Sequence, residues 1–235
     1  MTAKEILKEL QKYGDERTKN TLMNHGAREP FFGVKVADLK KILKKTKKNH
    51  KLSLELYSTG NSDAMYLAGL MADEKQITKA QLEEWVDKAY WSYLSEYTVP
   101  WVAAETEYGF ELGLKWIKSD KETIASAGWE TLAYYAAVNE DENLDTKVYI
   151  ELLNKVKKEI HSAQNRVRYT MNGFVIAVGT YIEVLTEKSK EVAKEIGKVS
   201  VDVGGTACKV PLADEYIDKA IDKGRIGKKR KTARC

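Results

Sequence analysis

Apolar side chains recur every three or four residues along almost the whole chain, the pattern of amphipathic helices packed on one face. Ile6, Leu7 and Leu10 follow Thr2 and Glu5, a pairing that predicts a capping box, and Gly14 is placed to end that helix. Val36, Leu39, Ile42 and Leu43 form a second stripe, from which Lys40, Lys41, Lys44 and Lys45 point away. Ser62 is placed to cap a helix running to Met71, and Thr78 with Gln81 repeats the capping-box pattern before Leu82, Trp85 and Val86. Asp120 precedes a helical stretch to Val138, and Asp145 opens one carrying Val148, Leu152, Val156 and Ile160. Helices over 165–178, 187–196 and 211–223 complete the series, with Pro211 suited to a first turn and Gly224 to a C-terminal cap.

This pattern predicts an all-α protein of about a dozen helices joined by short polar turns. Helix pairs spaced every ~35–45 residues match HEAT-like units stacked as a superhelical solenoid, with a globular bundle as the alternative architecture. The segment 198–211 departs from the period. Its alternating Val199, Val201 and Val203 and its Gly204-Gly205 pair predict an extended loop or short hairpin. The expected division is a solenoid over 1–197, a loop and last helix packed on it over 198–223, and a basic tail over 224–235.

Charge adds one feature to this picture. The chain has 39 basic and 35 acidic residues, a net of +4. Six of the basic residues (Arg225, Lys228, Lys229, Arg230, Lys231 and Arg234) fall in the tail, which has no acidic one; without them 33 face 35, a net of −2. Such a block suits a polyanion, because each cation near a phosphate releases condensed counterions. A solvated terminus that serves only solubility is the other reading. Lys228, Lys229 and Arg230 are therefore candidate phosphate contacts. No stretch approaches the ~20 apolar residues that span a bilayer, and the start of the chain lacks the apolar run of a signal peptide. Two cysteines without CxxC spacing, and three scattered histidines, point to a reducing compartment and away from a metal site. The expected location is cytoplasmic, beside the nucleoid in a bacterium or in the nucleus of a nucleated cell.

Two constellations carry candidate chemistry. Trp91, Tyr93 and Tyr97 surround Glu96, one carboxylate among aromatic rings, just before Val99-Pro100. Further on, Asn165, Arg168, Tyr169 and Asn172 lie three or four apart on one helical face, with Arg166 beside them. That face reads as a nucleic-acid contact or as a polar network pinning the helix to its neighbours. The tryptophans at helical spacing, Trp85 and Trp116 above all, read as core.

Three short motifs then resemble a known family. The loop Arg28-Glu-Pro-Phe-Phe-Gly-Val34 leading into Leu39-Lys-Lys-Ile42, the turn Trp116-Ile-Lys-Ser-Asp120, and the helix Gly173-Phe-Val-Ile176 resemble the DNA alkylation repair family, the HEAT-like alkylpurine DNA glycosylases of the AlkD type. Their order and spacing agree over about residues 5 to 185. The resemblance implies an α-solenoid that holds duplex DNA and removes cationic N3- or N7-alkylpurines by hydrolysing the glycosidic bond, without metal or organic cofactor and as a monomer. Carried over position by position, the family's carboxylate falls on Glu96, its first Trp on Ser92 beside Trp91, its second on Phe174, and its Arg near Ser126, which marks a divergent branch. Glu96 is thus the expected catalytic group, with Trp91, Tyr93, Arg166, Arg168, Tyr169, Asn172 and Phe174 as expected DNA contacts. A non-catalytic nucleic-acid scaffold of the same fold is the alternative, and a protein-binding solenoid with a localisation tail is a third reading.

Overall fold

The computed structural model describes residues 1–206 and 208–234. Thirteen α-helices follow one another among them: α1 (Ala3–Lys12), α2 (Glu16–Asn24), α3 (Val36–Thr46), α4 (His50–Ser58), α5 (Ser62–Met71), α6 (Lys79–Lys88), α7 (Val99–Ala104), α8 (Gly109–Trp116), α9 (Glu122–Val138), α10 (Thr146–Glu159), α11 (Asn165–Tyr181), α12 (Thr186–Ile196) and α13 (Ala213–Asp222). The described residues contain no strand, so those of 198–211 form an irregular loop instead of a hairpin. Both capping boxes form as read, at Thr2 with Glu5 and Thr78 with Gln81. The α5 cap lies one residue earlier than expected, because Asn61 accepts the Ala64 N–H and Ser62 is already helical. α13 likewise begins at Ala213, past Pro211.

Side-chain burial divides into two clusters that meet at α9. The first joins α1 through α8 with Trp85, Trp101 and Trp116, and the second joins α9 through α13 with Trp129, Tyr149 and Phe174. α9 packs along both α8 and α11 and gives residues to each cluster, Ala127 to the first and Trp129 to the second. Helix pairs are thus stacked in chain order, each burying the apolar face its neighbour cannot cover alone.

Between α6 and α7 the chain makes one wide π-helical turn, Tyr93–Thr98. Pro100 has no N–H to continue an α-type ladder, while Val99 N–H reaches back to the Leu94 carbonyl and the Thr98 hydroxyl to that of Tyr93. The turn lies close against α5 at Gly69, where a Cβ would sit 2.6 Å from Thr98 Cγ2.

Asp63, which carries no motif in the sequence, organises the Phe31–Val34 loop. Its buried carboxylate accepts the N–H groups of Phe32 (2.6 Å), Gly33 (3.1 Å) and Val34 (3.0 Å). Asp63→Ala leaves three buried donors unpaired, at ~1–3 kcal/mol each. We expect a loss of at least ~3 kcal/mol, readable as a lower chemical-denaturation midpoint; an unchanged midpoint would show that the loop holds without it.

The basic tail is not a free arm. It runs back over the ends of α11, α9 and α5, where carbonyls lack helical partners and the helix dipole is negative. Lys229 Nζ donates to the carbonyls of Ala136 (3.0 Å) and Tyr181 (2.7 Å) and pairs with Asp141. Arg230 N–H donates to Ala137 O. Arg234 donates to the carbonyls of Gly69 (3.0 Å) and Ala72 (3.1 Å) and pairs with Glu74 and Glu105, while Ala233 is fully buried in the first cluster. The tail is a strap that ties the two clusters together, and three of its six cations, Lys229, Arg230 and Arg234, are used within the fold.

Candidate nucleic-acid interface

The π-helical turn and the start of α11 face one another across a cavity of 360 Å³. Tyr93 and Tyr97 come from the turn, Arg166 and Tyr169 from α11, and Asn24 and His25 from the end of α2. Asp202, Val203, Gly204 and Cys208 of the irregular loop complete the wall. Gly204, at φ +68°, closes it against α2: a Cβ there would lie 2.1 Å from Asn24 O.

The loop is held in place by the polar face of α11. Asn165 exchanges two hydrogen bonds with the Asp202 backbone, 2.8 and 2.7 Å, and Asn172 donates to Pro211 O at 2.9 Å. This corrects the expectation of a DNA-contacting face at Asn172, which is fully buried as a fastener. Arg168 is half-buried and does not line the cavity, whereas Tyr169 and Arg166 do.

Two more expected contacts lie behind the surface. Trp91 is 4% exposed, donates its indole N–H to Ser62 Oγ (2.9 Å), and stacks on Tyr93 with centroids 4.7 Å apart. It backs Tyr93 and leaves that ring as the available one. Phe174 is fully buried against Trp129 and Tyr149, so it is core. Lys229 is spent on carbonyls as described above, Arg230 lies over the Tyr134 ring, and Lys228 is exposed.

Glu96 sits 1% exposed beneath the cavity. Arg166 grips it at two points, Nε to Oε1 at 2.7 Å and Nη2 to Oε2. Burial pushes the carboxyl upward, and the guanidinium opposes that shift. The two-point fit is that of a carboxylate with a permanently charged guanidinium. A guanidinium therefore does stand beside this carboxylate, supplied by α11 and not by the helix containing Ser126, which is itself buried. Arg166 also lies over the Tyr169 ring, 4.3 Å from its centroid. Burial raises the Tyr93, Tyr97 and Tyr169 hydroxyls, so all three stay protonated donors at neutral pH.

Beside this pair, on α9, is a second acid. Glu130 faces Gly173 of α11, where a Cβ would come within 3.4 Å of Oε1, and lines a smaller cavity of 210 Å³ with Tyr134 and Arg230. Burial first, then the Glu96 charge, push its carboxyl well above the ordinary range, with Arg166 opposing. A raised folded-state pKa means that stability falls as pH rises from the ordinary carboxylate range toward the folded value. Glu130→Gln should therefore raise the melting temperature at pH 8, with the gain shrinking to nothing as pH falls through that range. A gain independent of pH would contradict the assignment.

Cations flank the cavity at positions that form no run in sequence. Arg17 and Lys35 border a groove that shares Tyr93, and Lys198 and Lys209 border one that shares Cys208. No described helix is long and apolar enough to cross a membrane, and no group of three or more His, Cys, Asp or Glu among the described residues could hold a metal ion.

Comparison with known proteins decides the family, because a model described as "DNA alkylation repair enzyme" matches residues 6–188. The chain belongs to the DNA alkylation repair family. An uncharacterized protein of Listeria monocytogenes is 37% identical over 218 residues, 90% of this chain and 94% of its own length. A Listeria innocua protein, also uncharacterized, is 36% identical over the same shares. A solved structure superposes with a TM-score of 0.91 at 38% identity, covering all of both chains. It is described as "a new family of proteins related to the HEAT-like repeat DNA glycosylases with affinity for branched DNA structures". The fold of this family member is accordingly all-α and HEAT-like.

Proposed function

We propose that this chain binds branched DNA on the face carrying the tyrosine-lined cavity and does not hydrolyse the glycosidic bond. One observation carries the reading: both oxygens of Glu96 are held by Arg166, beneath the surface. Glycosidic hydrolysis at a cationic purine calls for a carboxylate that faces the sugar, stabilises its positive charge and orients water. Here the guanidinium offsets that charge, and the carboxylate is buried and is not part of the cavity lining. Affinity for DNA comes instead from Arg17, Lys35, Lys198 and Lys209 around the cavity, cations placed to meet phosphates arriving from more than one direction. The preference for branched DNA is taken from the description of the solved relative, whose chain is fully covered at 38% identity.

The catalytic half of the proposal has a direct test. Methylated duplex incubated with the protein should release N3-methyladenine and N7-methylguanine no faster than duplex alone. Release that disappears in Glu96→Gln would overturn the non-catalytic reading and restore the carboxylate role implied by the family resemblance.

A further inference from the structure

We infer that the cavity between Tyr93, Tyr97 and Tyr169 receives one unstacked nucleobase from the branch point, an inference that rests on the DNA-binding function proposed above. Its volume, 360 Å³, lies within the ~300–1,000 Å³ of small-molecule sites and suits one small occupant. The character of the wall selects the kind of occupant. Tyr93 is backed on one side by Trp91, and Tyr169 is held by Arg166, so both are braced rings with low freedom to lose on binding. Every nucleobase has a π-face for such rings. Asn24, His25 and Ser92 stand around them with donors and acceptors for a base edge.

A phosphate fits this wall poorly. Its guanidinium already holds Glu96, and the Asp202 carboxylate belongs to the same lining. Phosphates are better met outside, at Arg17 and Lys35 on one side, where two cations face the single Asp15 carboxylate that Thr18 already engages, and at Lys198 and Lys209 on the other. The cavity thus lies where a base would fall if its own strand ran between those cations. Extruding a base from intact duplex costs a few kcal/mol, and least where the base is already unpaired. A branch point supplies such a base without that cost, which links the cavity to selection of branched over linear DNA.

The test compares two three-way junctions that differ at one nucleotide: one carries an unpaired adenine at the branch, the other an abasic unit there. Base stacking on aromatic side chains implies that the wild-type protein binds the adenine junction about 5- to 150-fold tighter. Tyr169→Ala should shrink that ratio toward one while still binding both junctions through phosphates. Equal affinity of the wild-type protein for the two junctions overturns the inference and leaves branched-DNA binding intact, whatever the variant does. If neither junction is preferred over linear duplex, the proposed function fails first and the inference falls with it.

Discussion

Arg166→Met should lower the melting temperature by roughly 6–20 °C. The Glu96 end of this pair is buried and the Arg166 end partly exposed; removing the cation against a buried charge typically costs ~3–5 kcal/mol, and each kcal/mol moves a domain of this size by ~2–4 °C. Glu96 would be left 1% exposed with no cation against it. Its folded pKa would then be raised by burial, with the Glu122 charge adding to the shift, so it would take up a proton more readily than in the unfolded chain. The sign follows: stability is lost as pH rises from the ordinary carboxylate range, and the variant should be weaker at pH 8 than at pH 5. Glu96→Gln with Arg166→Met should recover much of the loss, because no charge remains to be stranded. Differential scanning calorimetry of the single and double variants checks this. Losses that simply add would show that the two side chains are not coupled.

Removal of residues 225–235 should cost at least ~3 kcal/mol in the absence of any DNA, a fall of roughly 6–12 °C. Three helix C-termini lose their cations, and Glu105 loses Arg234 together with the Ala233 N–H at 2.6 Å. The salt dependence of DNA binding per folded molecule should change little by comparison. Of the tail's cations only Arg225, Lys228 and Lys231 are exposed, so the slope can fall by at most ~3. A tail acting as a DNA arm gives the opposite result, an unchanged melting temperature and a slope lower by ~5.

The sequence disclosed the helices more readily than the site, for a physical reason. Capping boxes at Thr2 and Thr78 and the 3.6-residue period of α9 through α12 are local, so one chain suffices to read them. The contact between Glu96 and Arg166 joins residues seventy apart, and no periodicity carries that pairing. The same holds for Asp63 and its loop. The polar face of α11 was visible, but its partner was not: Asn165 and Asn172 meet loop backbone at Asp202 and Pro211, which gives no side-chain signal. The tail shows the opposite difficulty. A dense basic run suggests a polyanion, yet helix C-termini are themselves negative poles and attract the same residues. Arg17, Lys35, Lys198 and Lys209 give no sequence signal, because each stands apart from the basic run and only the fold gathers them around the cavity.

Selective binding of branched DNA by the cavity face can be read in a single competition titration. Fluorescence anisotropy at fixed salt should be recorded for a labelled four-way junction, with unlabelled junction and linear duplex of equal length and composition as competitors. The junction should compete at least about tenfold more effectively than the duplex, and Arg17→Ala with Lys209→Ala should weaken both. Equal competition by junction and duplex would contradict selective binding.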